Sequence, residues 1–410
     1  MSLFETAAIL VTLSAFFSYI NFRYIKLPTT IGIMLLALTA STLVILLGFV
    51  GSDLDETALI LLESIDFNEA VLHGMLAFLL FAGSLHVNLN DLSKQQGVIG
   101  ALASFGVLSS TFLVGTLTWL VLGVLETPLS YLECLLFGAL ISPTDPIAVM
   151  GILKGAGVPK SLETQITGES LFNDGVGVVV FLALLELSRN PGDSIVGSAG
   201  SLFLLEAGGG LLLGLATGYL AFRMLRSVDN YQVEVLITLA LVTGSFALAD
   251  RWHLSGPIAI VVAGLLIGNH GRMLAMSERT IRHLDTFWEL VDEILNAVLF
   301  LLIGLEILVL RISSIHLLII LVTIPIVLAS RFLSVSLPIT VFQRFRDFTP
   351  GVIRILTWAG LRGGISVALA RSLPPGEARE IFLPATYGVV VFSIAVQGLT
   401  INRLVRKVSS

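Results

Sequence analysis

Three acids, Asp145, Glu169 and Asp174, and two bases, Arg331 and Arg362, stand inside long apolar runs of the chain. An ionisable side chain near the centre of a bilayer costs roughly 2.5 to 3.5 kcal/mol on insertion scales. Five together carry a gross penalty on the order of 10 kcal/mol, comparable with the stability of a whole domain. Two bases can neutralise two of the acids, and the third is left over. Desolvation disfavours the charged form of any carboxylate, and carboxylate oxygens also ligate small cations. The chemistry on offer is therefore competition between a proton and a monovalent cation for one acid.

The local sequences suit that chemistry. Asp145 lies in Ser142-Pro143-Thr144-Asp145-Pro146, where Pro143 and Pro146 each lack an N–H and clash with the carbonyl four residues back. The helix must break there, and unwound backbone at membrane depth is tolerated only beside a cavity or inside protein. Such a break exposes carbonyl oxygens next to Asp145, as a dehydrated cation requires. Downstream, Gly168-Glu169-Ser170-Leu171-Phe172-Asn173-Asp174-Gly175 puts Ser170 and Asp174 on one helix face, four residues apart. Glu169 and Asp174 diverge by roughly 140° at 100° per residue and so serve different partners. Asp174 with Ser170 is assigned to the cavity, Glu169 to a buried ion pair, and Asn173 to a hydrogen-bonding scaffold. Arg362 sits among Gly360, Gly363 and Gly364, which makes a second interrupted segment.

These residues need a membrane-spanning frame, and the composition supplies one. Of the 410 residues, 55% are hydrophobic and 13% charged, against roughly 25% charged in soluble domains. About twenty apolar residues span a bilayer. Helical segments are expected at 3–22, 28–50, 69–88, 97–125, 130–153, 162–188, 197–224, 231–250, 255–271, 286–310, 314–342, 351–373 and 378–403. Alternate connections are unequal in Lys and Arg, fifteen in one set and five in the other. The rich set includes Arg23 and Lys26, Lys154 and Lys160, and Arg403, Arg406 and Lys407. By the positive-inside rule the C-terminus is cytoplasmic and the N-terminus external. Breaks in segments 5 and 12, an odd number apart, predict two inverted repeats, segments 1–6 and 8–13.

Other classes recede. A net charge of −6 argues against nucleic acid as a partner, although the placement of charges along the chain says more than their sum. Lone Cys134 excludes an intrachain disulfide. The apolar stretch 1–20 is followed, not preceded, by Arg23 and Lys26, so it reads as a retained helix and not a secretory signal. There is no G-x-x-x-x-G-K-[ST] phosphate loop, and Ser170 lacks the G-x-S-x-G frame of a hydrolase nucleophile. No cofactor is expected.

Taken together, Ser142 to Pro146, Gly168 to Gly175, Gly360-Leu361-Arg362-Gly363-Gly364 and Ser255-Gly256-Pro257-Ile258-Ala259-Ile260-Val261-Val262-Ala263-Gly264 resemble bacterial sodium/proton antiporters of the NhaP type, in the first cation:proton antiporter family. The likeness covers nearly the whole chain. It implies a homodimer with a scaffold (1–95 and 197–312) and a moving core (96–190 and 313–405). It implies that Asp174 is the shared proton and cation carboxylate, with Thr144, Asp145 and Ser170 around a bound Na+ or Li+. Glu169 would pair with Arg331, Arg362 would steady the crossing, and the Asn173–Asp174 pair would mean electroneutral exchange in a cell membrane. One departure stands out: Ala82 occupies a position where many relatives carry glutamate, so no role for that acid transfers. Exchange of potassium for protons, and a cation channel, are the alternatives.

Overall fold

The computed structural model describes residues 3–48, 67, 69–145, 149–150, 158–189, 195–310 and 312–409. Among the described residues every regular element is helical, as a chain this apolar requires. In lipid a backbone polar group has no water to bond, and the helix satisfies each one locally.

Helices α1 (Leu3–Ile20) and α2 (Thr29–Gly48) come first, then α3 (Leu76–Leu85) and α4 (Leu89–Ala101). A π-helical stretch at Leu102–Gly106 carries α4 into α5 (Val107–Val124). α6 (Tyr131–Ile141) opens on a capping box, in which Ser130 and Glu133 satisfy each other's backbone N–H groups. The two longest helices, α7 (Lys160–Arg189) and α8 (Ile195–Leu225), lie mid-chain. α9 (Tyr231–Arg251) starts at the Asn230 cap and α10 (Gly256–Leu266) at the Ser255 cap. After α11 (Glu278–Leu305) and α12 (Ser314–Phe342) come α13 (Val352–Ala359) and α14 (Gly364–Arg371). α15 (Glu377–Phe392) and α16 (Leu399–Ser409) close the series.

Nine described runs are long and apolar enough to cross a bilayer. α13 and α14, bent by 49° across a short break, make a tenth. The chain is a multi-pass, all-helical membrane protein. All thirteen expected segments fall on helical elements, but three do not meet that criterion by themselves. Glu69–Leu85 and Tyr131–Ile141 are too short, the second because it stops at its proline break. α11 carries seven charged residues in its first sixteen, Glu278 to Glu293. Boundaries also differ from expectation. Segment 4 begins at Leu89 instead of 97 and segment 10 at Glu278 instead of 286, because the Asn88 and Ser277 caps start helices inside polar turns. Hydropathy does not register such turns.

Small residues set how closely the helices approach. A methyl group on Gly138 of α6 would collide with the carbonyl oxygen of Thr111 on α5, and one on Gly115 of α5 would stand 2.9 Å from Leu135 of α6. The two glycines thus face each other's helix. In lipid such intimate van der Waals contact is a main source of helix association. Buried apolar side chains form three larger clusters: around α2, α11 and α13, around α3, α9 and α10, and around α6, α7 and α15.

Candidate cation site

α6 ends at Ile141, because the ring of Pro143 cannot enter another turn. Ser142 Oγ closes the helix end by donating to the Gly138 carbonyl at 2.6 Å. The chain beyond it is held by the second interrupted segment. Arg362 Nη1 donates to the carbonyl of Pro143 at 2.9 Å and to that of Ser142. In return the backbone N–H of Asp145 donates to the Leu361 carbonyl at 2.8 Å. Each break thereby satisfies polar groups that the other leaves without helical partners.

The glycines of the second break provide room. A methyl group on Gly363 would run into the side chain of Asp145, and one on Gly364 into Leu299 of α11. At Gly360 it would stand 2.6 Å from Arg331 Nε. Pro146 lies outside the described residues, as does the acidic connection 53–66.

α7 supplies the remaining groups. Glu169, fully buried, pairs with Arg331 of α12 through both terminal guanidinium nitrogens, Nη1 to Oε1 and Nη2 to Oε2 at 3.0 Å. Arg331 Nη2 also donates to the Leu356 carbonyl at 3.2 Å. One turn on, Asn173 faces the α6 break: its Nδ2 donates to Thr144 Oγ1 at 2.8 Å and its Oδ1 accepts from the Thr144 N–H at 3.2 Å. Thr144 Oγ1 lies 2.9 Å from Ser170 Oγ. Thr144, Ser170 and Asn173 thus form one polar knot joining α7 to the unwound chain that follows α6.

Asp174, one turn after Ser170, borders this knot on its cavity side; Thr144 belongs to both, whereas Ser170, expected in the cavity, bonds Thr144 and is not part of the cavity lining. Only 6% exposed, Asp174 lines a cavity of about 900 Å³ together with Pro143, Thr144, Asp145, Gly363 and Ser366. Among the described residues no ion pair engages it. The lining extends to Thr29, Asn88, Asp91 and Lys160, which stand at helix starts beside the connections rich in Lys and Arg. Charges around this outer part are mostly acidic: Asp91, Glu163, Glu289, Asp292 and Glu293 against Lys160. Such a surface raises the local concentration of cations.

The transmembrane family described as sodium/hydrogen exchanger matches residues 12–407. The chain belongs to that family. A Na+/H+ antiporter, NhaP, of Pseudomonas aeruginosa is 50% identical over 412 residues, 98% of this chain and 96% of that one. A Na+/H+ antiporter, NhaH, of Halobacillus dabanensis is 38% identical over 83% of each chain. The solved structure of the sodium proton antiporter MjNhaP1 from Methanocaldococcus jannaschii at pH 8 matches over the full length of both chains with a TM-score of 0.77. At 18% identity that likeness speaks for the fold.

Within this exchanger-family fold the structure adds groups that sequence reasoning passed over. Glu306, 3% exposed, accepts from Arg371 Nη1, at the end of α14, at 2.8 and 3.0 Å. Glu306 is the single charge in the run 299–310, the same signal that singles out Asp174. Its place near a segment end hid it. Glu234 is fully buried and accepts from Thr280 Oγ1 at 2.5 Å. On α11, Glu289, Asp292, Glu293 and Asn296 line the cavity, and their spacing of three and four residues marks one helix face. That pattern is legible in the sequence, although hydropathy alone does not show it.

Proposed function

We propose that this protein is a secondary-active antiporter that exchanges Na+ or Li+ for protons, one for one, with the two ions alternating at Asp174. One observation carries the reading. Arg331 is engaged by Glu169 and Arg362 by the carbonyls of the crossing, while Asp174 faces the cavity. An acid that no buried base neutralises needs a proton or a metal cation to offset its charge. Thr144, Asp145 and Ser170 offer further oxygens to the cation, and Asn173 holds Thr144 in place. The curated relatives named as Na+/H+ antiporters support the choice of ion.

If the core (96–190 and 313–405) crosses only when Asp174 is neutralised, exchange is obligatory and needs no second gate. A core that moves against a scaffold (1–95 and 197–312), in a homodimer seated in the cell membrane, is the simplest body plan for it. Asn173 beside Asp174 leaves one exchangeable charge per cycle, hence electroneutrality. The opposing ion gradient supplies the energy, with no cofactor.

Proteoliposomes with the membrane potential clamped test this. Adding Na+ or Li+ is expected to drive proton flux that Asp174→Ala abolishes while the protein still inserts. Flux with K+ alone would reassign the cation, and cation flux indifferent to a pH gradient would indicate a channel.

A further inference from the structure

Asn296 of α11 is 2% exposed, and among the described residues its carboxamide oxygen has no hydrogen-bond partner. Leaving a buried acceptor unsatisfied costs about 1–3 kcal/mol, and an apolar side chain of similar size would avoid that cost. The residue lines the same cavity as Asp174 and Asp145. Leu299, three residues on, is the side chain that a methyl group on Gly364 would strike, so this turn of α11 packs against the α13–α14 break. Asp292, one turn before Asn296, lines the cavity nearer its acidic outer part. Ala82 of α3, the helix packed against α11, lines the same cavity and contributes no polar side-chain atom.

From this placement we infer that Asn296 is a further cation-binding residue, giving a neutral carboxamide oxygen to the dehydrated monovalent cation held by Asp174. A half-turn of the planar amide exchanges the positions of Oδ1 and Nδ2, so the oxygen can turn to the cavity without moving the helix. Dehydrated alkali cations take several oxygens, and a neutral one adds coordination without a further charge to desolvate. Because α11 lies in the proposed scaffold and Asp174 in the proposed core, this ligand would stay behind when the core moves. It would tune binding on the side where the cavity opens. The inference rests on the exchange reading above and adds one ligand to it.

Asn296→Leu keeps the volume and removes the oxygen, and Asn296→Asp keeps an oxygen. Na+-driven proton flux should show an apparent KM for Na+ raised about tenfold in Asn296→Leu, as for the loss of one ligand oxygen. The maximal rate should stay within about threefold. Direct Na+ binding to the purified protein should weaken in parallel, with thermal stability equal to the parent's or higher, and Asn296→Asp should retain the parent's KM or a lower one. A purely structural role would instead lower stability or rate and leave KM unchanged. That pattern, or a KM within twofold of the parent's, overturns the inference while exchange through Asp174 stands. A parent that responds to no alkali cation would overturn both.

Discussion

Glu169 and Asp174 lie five residues apart on one helix and meet different surroundings: one is locked to Arg331 by two hydrogen bonds, the other lines a cavity. The angular offset along a helix is enough to separate them. Breaking a buried pair by neutralising one partner leaves a charge uncompensated, at about 3–5 kcal/mol. Glu169→Gln is therefore expected to lower thermal stability by that order, measured by unfolding of the purified protein. Where the fold survives, apparent Na+ affinity should change little, because Glu169 faces away from the cation. A large loss of affinity with unchanged stability would place Glu169 in the site instead.

The two breaks form one element, since neither is satisfied without the other: Arg362 serves carbonyls of the first and Asp145 N–H serves the second. Gly363→Ala must displace the Asp145 side chain, so exchange is expected to fall at least tenfold, on the scale of a misplaced catalytic group. Gly123 of α5 has open space around it, and Gly123→Ala is expected to leave exchange unchanged and shift stability by no more than about 0.5 kcal/mol. Equal effects at both positions would contradict the crossing as the sensitive element. Much of this was legible from single residues: Pro143 and the glycines around Arg362 mark the breaks, and segment 314–342 coincides with α12. The partners were not. Whether Arg362 meets a carboxylate or a carbonyl 219 residues away depends on packing, and the Glu306–Arg371 pair joins the ends of two segments far apart in the chain. Helix starts at Leu89 and Glu278 escaped because a capping side chain, not hydropathy, sets them.

At the scale of the whole molecule, the cavity reaches Asp174 from the side of the connections richest in Lys and Arg. Cys134 is fully buried and inert to a bulky reagent, so Thr167→Cys, on the cavity lining, reports access alone. A membrane-impermeant thiol reagent is expected to label it from the cytoplasmic face, and labelling only from outside would contradict the orientation. If proton and cation exclude each other at one acid, lowering the pH weakens apparent Na+ affinity about tenfold per unit below the working pKa. The same linkage requires that binding one ion expels the other. The most direct measurement is therefore the proton count on Na+ addition to purified protein in weak buffer, near the working pKa. The expected result is release of up to roughly one proton per chain, abolished in Asp174→Asn. Saturable Na+ binding with no proton released, or undiminished release from Asp174→Asn, would contradict a shared site at Asp174.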